Sequence, residues 1–171
     1  VPAWSDQKEA WLCDRKKVFR HASGAAASPL TVSRHFLNHI IVLDTTATLT
    51  DTLTVLLPHP EVSDGCTLEF WVSASALMSS AGALTFALPS RTFVGTNGTT
   101  TTAVAGYFVG HIIHPAATTV IPMVYNVATT ASTVVLGASA NMSGTQVQFV
   151  CLDGVYYVRG SSNSTDAPTI S

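Results

Sequence analysis

Charge is the scarcest resource in this sequence. Only 11% of its 171 residues are Asp, Glu, Lys or Arg, against roughly 25% in ordinary soluble domains, while 47% are hydrophobic. So few ionised groups cannot clothe the surface of an isolated domain, which implies that copies of the chain or a partner cover part of it. The formal net charge of -2 supplies no cationic excess of the kind that nucleic-acid phosphates reward, so direct nucleic-acid binding is not expected. Long apolar runs are also missing. Ala, Val and Leu are interrupted every few residues by Thr, Ser, Gly or Pro, and no stretch reaches the ~20 apolar residues of a membrane helix. Val1 to Arg20 is the most charged stretch and has no apolar h-region, so export by a cleaved signal peptide is not expected.

Catalytic and metal motifs are equally sparse. There is no Gly-x-Ser-x-Gly elbow, no Gly-x-x-x-x-Gly-Lys phosphate loop and no Gly-x-Gly-x-x-Gly fingerprint, and Gly95-Thr-Asn-Gly98 reads as a hairpin turn. Cys13, Cys66 and Cys151 cannot all pair within one chain and show no zinc spacing; they read as free thiols of a reducing compartment. His35 and His39 precede a strand-like run, where residues four apart stand about 13 Å from each other. His111 and His114 have an odd separation that sends them to opposite faces of a strand. Glu69 is the acid inside a strong strand and reads as a solvent-face neighbour of Trp71. No two acids form a donor and base motif. The expectation is a chain without catalytic residues, cofactor or metal. Asn97, Asn141 and Asn163 open sequons that arise easily by chance in so Thr- and Ser-rich a chain.

What is present is organised in three parts. Residues 1–29 form an arm in which Trp4, Lys8, Trp11 and Arg15 recur at helical spacing, followed by the connector Ala22 to Pro29, which has no side chain large enough to anchor a core. Residues 30–160 carry β texture. Leu53, Val55 and Leu57 alternate with Thr52 and Thr54, and Leu68, Phe70, Val72 and Ala74 alternate with Thr67, Glu69 and Ser73, a period that places one set on one sheet face. Pro58-His-Pro60 and Asp64-Gly65 supply turns. Further strands are expected at 84–88, 91–94, 103–113, 119–127, 133–137, 146–152 and 155–159. Asn97-Gly98 and Asp153-Gly154 read as two-residue hairpin turns. The stretch 73–83 is compatible with a short helix as well. Residues 161–171 contain almost nothing to bury and read as a flexible tail. Short strands with turns between them predict a mainly β fold: an antiparallel β-sandwich, jelly roll or barrel with an extended N-terminal arm.

Trp4 and Trp11, beside Arg15, Lys16, Lys17 and Arg20, combine large apolar anchors with charge, the mixture that dominates protein interfaces. Docking on a partner and folding back on the chain's own domain are both open to such an arm. Trp71, Tyr156 and Tyr157 are candidate surface aromatic contacts, with Tyr107 a further one.

Leu49-Thr-Asp-Thr-Leu-Thr-Val-Leu-Leu-Pro58 with Asp64-Gly-Cys-Thr-Leu-Glu-Phe-Trp71, and Gly144-Thr-Gln-Val-Gln-Phe-Val-Cys-Leu-Asp-Gly-Val-Tyr-Tyr-Val-Arg-Gly160, resemble segments of tailed-bacteriophage virion proteins, among them head decoration (cement) and fibre proteins. The resemblance implies a β-rich homo-oligomer, a trimer, on the capsid exterior, bound to the major capsid protein and made in the bacterial cytoplasm. It carries over no catalytic residue. The alternative is a receptor-binding or fibre-tip module of a virion, in which exposed aromatics meet a sugar.

Overall fold

Alternating side chains need two surfaces, and the chain supplies them as two sheets that present apolar faces to each other. The computed structural model describes residues 18–21, 29–43, 52–73, 83–94, 98, 100–104, 106–114, 123–136, 142–163 and 168–170. Its strands are β1 (Val18–His21), β2 (Leu30–Thr31), β3 (His39–Leu43), β4 (Leu53–Leu56), β5 (Thr67–Val72), β6 (Leu84–Ala87), β7 (Ser90–Val94), β8 (Thr100–Val104), β9 (Tyr107–His114), β10 (Met123–Ala131), β11 (Thr133–Leu136), β12 (Gln146–Leu152), β13 (Val155–Ser161) and β14 (Thr169–Ile170). Two 3-10 turns, Arg34–Phe36 and Pro60–Val62, complete the regular structure among the described residues. A seven-stranded sheet has the order β1-β3-β5-β12-β13-β9-β10, and a five-stranded sheet has the order β14-β11-β6-β4-β2. The strands β7 and β8 pair as a separate ribbon.

From β1 to β6 every connection crosses from one sheet to the other. Each return lands beside the previous strand of that sheet and parallel to it: β1, β3 and β5 on one side, β2, β4 and β6 on the other. A parallel neighbour requires a crossover, usually a helix; here a strand of the opposite sheet does that work. The later strands close the sheets with antiparallel pairs. β12 joins β5 and β13, and β11 joins β6 and β14.

The expected antiparallel sheets are therefore mixed, with five parallel and six antiparallel pairings among the described strands. The sheets do not close into a barrel. Period two reports which face a side chain takes, and nothing about the direction of the neighbouring strand. The strand expected over 103–113 is divided between β8 and β9 by Gly106, whose φ is +88° and where a Cβ would stand 2.5 Å from the Gly154 carbonyl oxygen. The Asn97-Gly98 hairpin exists, but Val94 pairs with Thr100, so its loop is longer than two residues. The Asp153-Gly154 turn has both residues at positive φ, +50° and +77°, the conformation of a two-residue type I′ hairpin. Two strands lie beyond the 30–160 boundaries, β1 from the arm and β14 from the tail. The arm before Val18, most of the connector and the interior of 73–83 lie outside the described residues.

Inward residues of both sheets form one core. Phe86 of the five-stranded sheet meets Phe70 and Phe149 of the seven-stranded sheet, each at a ring-centroid distance of 4.9 Å. Phe149 also meets Phe108 at 5.6 Å and stands at 87° to Tyr156. Tilted pairs at these separations add about 1 kcal/mol each beyond the buried area. Phe149→Ala is expected to cost about 4 kcal/mol, and Val150→Thr, one residue along on the outer side, about 1 kcal/mol or less; urea unfolding followed by Trp fluorescence measures both.

Candidate functional site

The outer side of the seven-stranded sheet is built by the residues that alternate with the core. On β5 these are Thr67, Glu69 and Trp71, on β12 Gln146, Gln148, Val150 and Leu152, on β13 Val155, Tyr157, Arg159 and Ser161, and on β9 Tyr107, Val109, His111 and Ile113. The register aligns them in rows. Glu69, Gln148, Arg159 and His111 stand opposite one another along one row, and Trp71, Gln146, Ser161 and Ile113 along the next. β3 adds Ile40 beside Glu69 and Val42 beside Trp71. Arg20 on β1 pairs in register with Val42, so the arm joins the sheet at the end of the Trp71 row.

This face concentrates the exposed apolar surface of the described residues. Six large hydrophobic side chains are exposed, and five of them belong to it: Trp71 (40%), Tyr107, Ile113, Leu152 and Tyr157 (46%). The sixth, Val62, sits in the Pro60–Val62 turn. From β5 to β9 the face carries only Glu69 and Arg159 as formally charged groups. Both are held in place. The Trp71 indole N–H donates to Glu69 Oε1 at 2.7 Å, and Arg159 Nε donates to Gln148 Oε1 at 2.6 Å. A face with few charges loses little hydration on docking, and one whose polar groups are already oriented loses little side-chain entropy. Between the rows lies a groove of about 400 Å³ lined by Glu69, His111, Ile113, Gln146, Gln148, Arg159 and Ser161, with Val147 and Gly160 at its floor.

Trp71, Tyr157 and Tyr107 occupy the exposed positions expected of surface aromatics. Tyr156 does not. It is 1% exposed, it packs on Phe108 and Phe149, and its hydroxyl donates to the Pro58 carbonyl at 2.9 Å. The type I′ turn sets the hairpin's parity so that Tyr156, opposite Cys151, faces the core and Tyr157, opposite Val150, faces out. Trp4, Trp11, Arg15, Lys16 and Lys17 lie outside the described residues. Glu69 is the neighbour of Trp71 that the alternation implies. His111 is exposed and His114 is 3% exposed, on opposite faces as their spacing requires. His35 lies in the Arg34–Phe36 turn and His39 opens β3. Among the described residues no three His, Cys, Asp or Glu side chains gather as a metal site. Ile113, Leu152, Gln146, Gln148, Arg159 and Ser161 carry no local signal of a site, because their partners in each row come from strands far apart in the chain.

Comparison with protein-family models, with curated proteins and with solved structures finds no match. What the face offers is apolar and aromatic side chains around a row of hydrogen-bonded polar groups.

Burial pushes the Tyr156 phenol well above its ordinary value, and burial, with Asp64 and Cys66 nearby, pushes the Cys151 thiol from 9.0 up to about 11. Both groups keep their protons longer in the folded chain than in the unfolded one. The Cys151 contribution to stability is complete below about pH 9 and is lost as pH rises through about 11, and that of Tyr156 starts to fall only above its ordinary value of 10.0. Urea midpoints at pH 8 and pH 10.5 are expected to fall in that order, with a smaller fall in Cys151→Ala. Tyr156→Phe strands the Pro58 carbonyl and is expected to cost about 1–3 kcal/mol, whereas Tyr157→Phe is expected to cost under about 0.5 kcal/mol in the same assay.

Proposed function

We propose that the chain is a structural virion protein, a cement or decoration protein that binds a phage head shell as an oligomer, with its two sheets forming a β-sandwich and residues 1–17 serving as an arm. The observation that carries this reading is the grouping, among the described residues, of five of six exposed large hydrophobic side chains on one side of the seven-stranded sheet. That face ends at β1, where the arm enters. The low charge content and the resemblance of the 49–71 and 144–160 stretches to virion proteins support the same reading. The partners in it are the major capsid protein and further copies of the chain, a trimer, on the outside of the head. At about 25 cal/mol per Å² of apolar surface, a few hundred Å² on a neighbour contributes several kcal/mol per copy before ordering costs. Repetition over a shell multiplies that contribution.

A second reading, a receptor-binding or fibre-tip module, is favoured by one feature: the groove between Glu69 and Arg159 combines fixed polar groups with Trp71 close by, a composition suited to a saccharide. A glycan array separates the two readings. Binding there supports the module, and a blank array leaves shell association.

The test of the first reading is co-sedimentation with purified phage heads. Deleting residues 1–17, which keeps β1, is expected to leave the circular dichroism of a β protein and to abolish sedimentation with heads. Trp71→Ala with Tyr157→Ala is expected to weaken binding at least 10-fold. Unchanged binding by both variants, or a chain that stays monomeric at high concentration in light scattering and is missing from particles, overturns the reading.

A further inference from the structure

The corner of the fold where β5 begins and β12 ends is held by a dense set of polar ties. Gly65 N–H donates to the Cys151 carbonyl at 2.9 Å, and Cys151 N–H donates to the Cys66 carbonyl at 3.0 Å. With Gly65 at a φ of +72°, these two bonds define a G1 bulge in which Gly65 and Cys66 together face Cys151. Asp64 Oδ1 accepts from the Asp153 N–H at 2.8 Å, which ties the Asp64-Gly65 turn to the β12–β13 turn. The Cys151 thiol lies 3.5 Å from the Pro60 carbonyl, and Tyr156 reaches Pro58 from the same hairpin.

The bulge leaves two thiols facing each other. Continuing the β5–β12 register past Thr67 and Val150 brings Cys66 opposite Cys151. Both have the parity of Leu68 and Phe149, so both belong to the core side. Cys151 is fully buried, Cys66 is partly exposed, and both are free. Residues opposed as a hydrogen-bonded antiparallel pair have Cα atoms about 5.5 Å apart, inside the range of about 4.4–6.8 Å that disulfides span.

We propose that Cys66 and Cys151 are a modification site: a thiol pair that closes to a cross-strand disulfide when the chain meets a small-molecule disulfide of the oxidised-glutathione class. The more accessible Cys66 reacts first. Its thiolate attacks one sulfur of the oxidant, breaks the oxidant's S–S bond and releases one reduced thiolate, leaving a mixed disulfide on Cys66. Cys151 then gives its proton to solvent, and its sulfur attacks the Cys66 sulfur and expels the second reduced thiolate. The two protein thiols lose two electrons, which reduce the oxidant to two thiols, so the step balances. The burial that holds the Cys151 proton makes it the resolving sulfur and makes closure faster at alkaline pH. The bond would join the start of β5 to the end of β12, strands separated by about half of the chain, and longer loops are where a cross-link constrains the unfolded state more. This inference is independent of the function proposed above.

The experiment oxidises the full-length chain and its Cys13→Ser variant under native conditions with excess oxidised glutathione. In the variant, titratable thiols are expected to disappear completely, with a mass loss of two hydrogens and a Cys66–Cys151 linked peptide in a non-reducing map. The melting temperature is expected to rise by roughly 10 °C and to return on adding dithiothreitol. The same linked peptide in the unsubstituted chain counts equally, so the result does not depend on the variant folding. Retained thiols, a stable glutathione adduct on Cys66, a cross-link between chains, or a cross-link that lowers the melting temperature would each overturn the proposal.

Discussion

Phe86 enters the space between Phe70 and Phe149, and with that contact two sheets that would each be half-exposed acquire a common interior. An isolated sheet with one apolar side is unstable in water, and the stable arrangement covers that side with another layer. Here the covering is mutual and is wound in from the start, because the chain lays down one strand in each sheet alternately from β1 to β6. Successive early strands thereby lie in opposite sheets. The cost of this winding is non-locality: β5 and β12, which carry Phe70 and Phe149, meet only after the intervening chain has been placed. Folding that depends on such distant pairings is slower than folding by local contacts.

Covering both inner faces leaves the problem of the outer ones. The outer side of the seven-stranded sheet keeps Trp71, Tyr107, Ile113, Leu152 and Tyr157 in solvent, with only Glu69 and Arg159 as charges from β5 to β9. Scattered exposed apolar residues are ordinary, and their collection on one sheet face is the feature on which the proposed association rests. The hydrogen bonds from Trp71 to Glu69 and from Arg159 to Gln148 keep the polar groups of that surface in fixed positions. Either proposed association, with a partner or with a saccharide, would draw on the same property, a face already organised before anything binds. The two readings differ in which part does the work, the apolar positions or the groove between the charged ones.

The Pro58 to Cys66 corner shows how a single backbone feature is used more than once. Gly65 permits the bulge, the bulge sets Cys66 against Cys151, and the neighbouring Asp64 anchors the Asp153-Gly154 turn. The turn in turn sets the hairpin parity that buries Tyr156 and exposes Tyr157. A shift of one residue at this corner would send every outward side chain of β13 into the core.

Much of this was legible locally. Alternation over 53–57 and 67–72 assigned core and outer faces, Asp153-Gly154 specified a two-residue hairpin, and the odd spacing of His111 and His114 placed them on opposite sides, because all three depend on backbone geometry within a few residues. The same alternation could have separated Tyr156 from Tyr157, but only once the turn between β12 and β13 had fixed which parity faces inward. Strand texture, turn chemistry and the shortage of charge follow from the order of residues alone. That β1, β3 and β5 run parallel, that the sheets stay open, and that Glu69, Gln148, Arg159 and His111 share a row emerges with the folded arrangement. Those outcomes depend on which strands become neighbours, and that choice is made by the fit of side chains across the core between segments far apart in the chain.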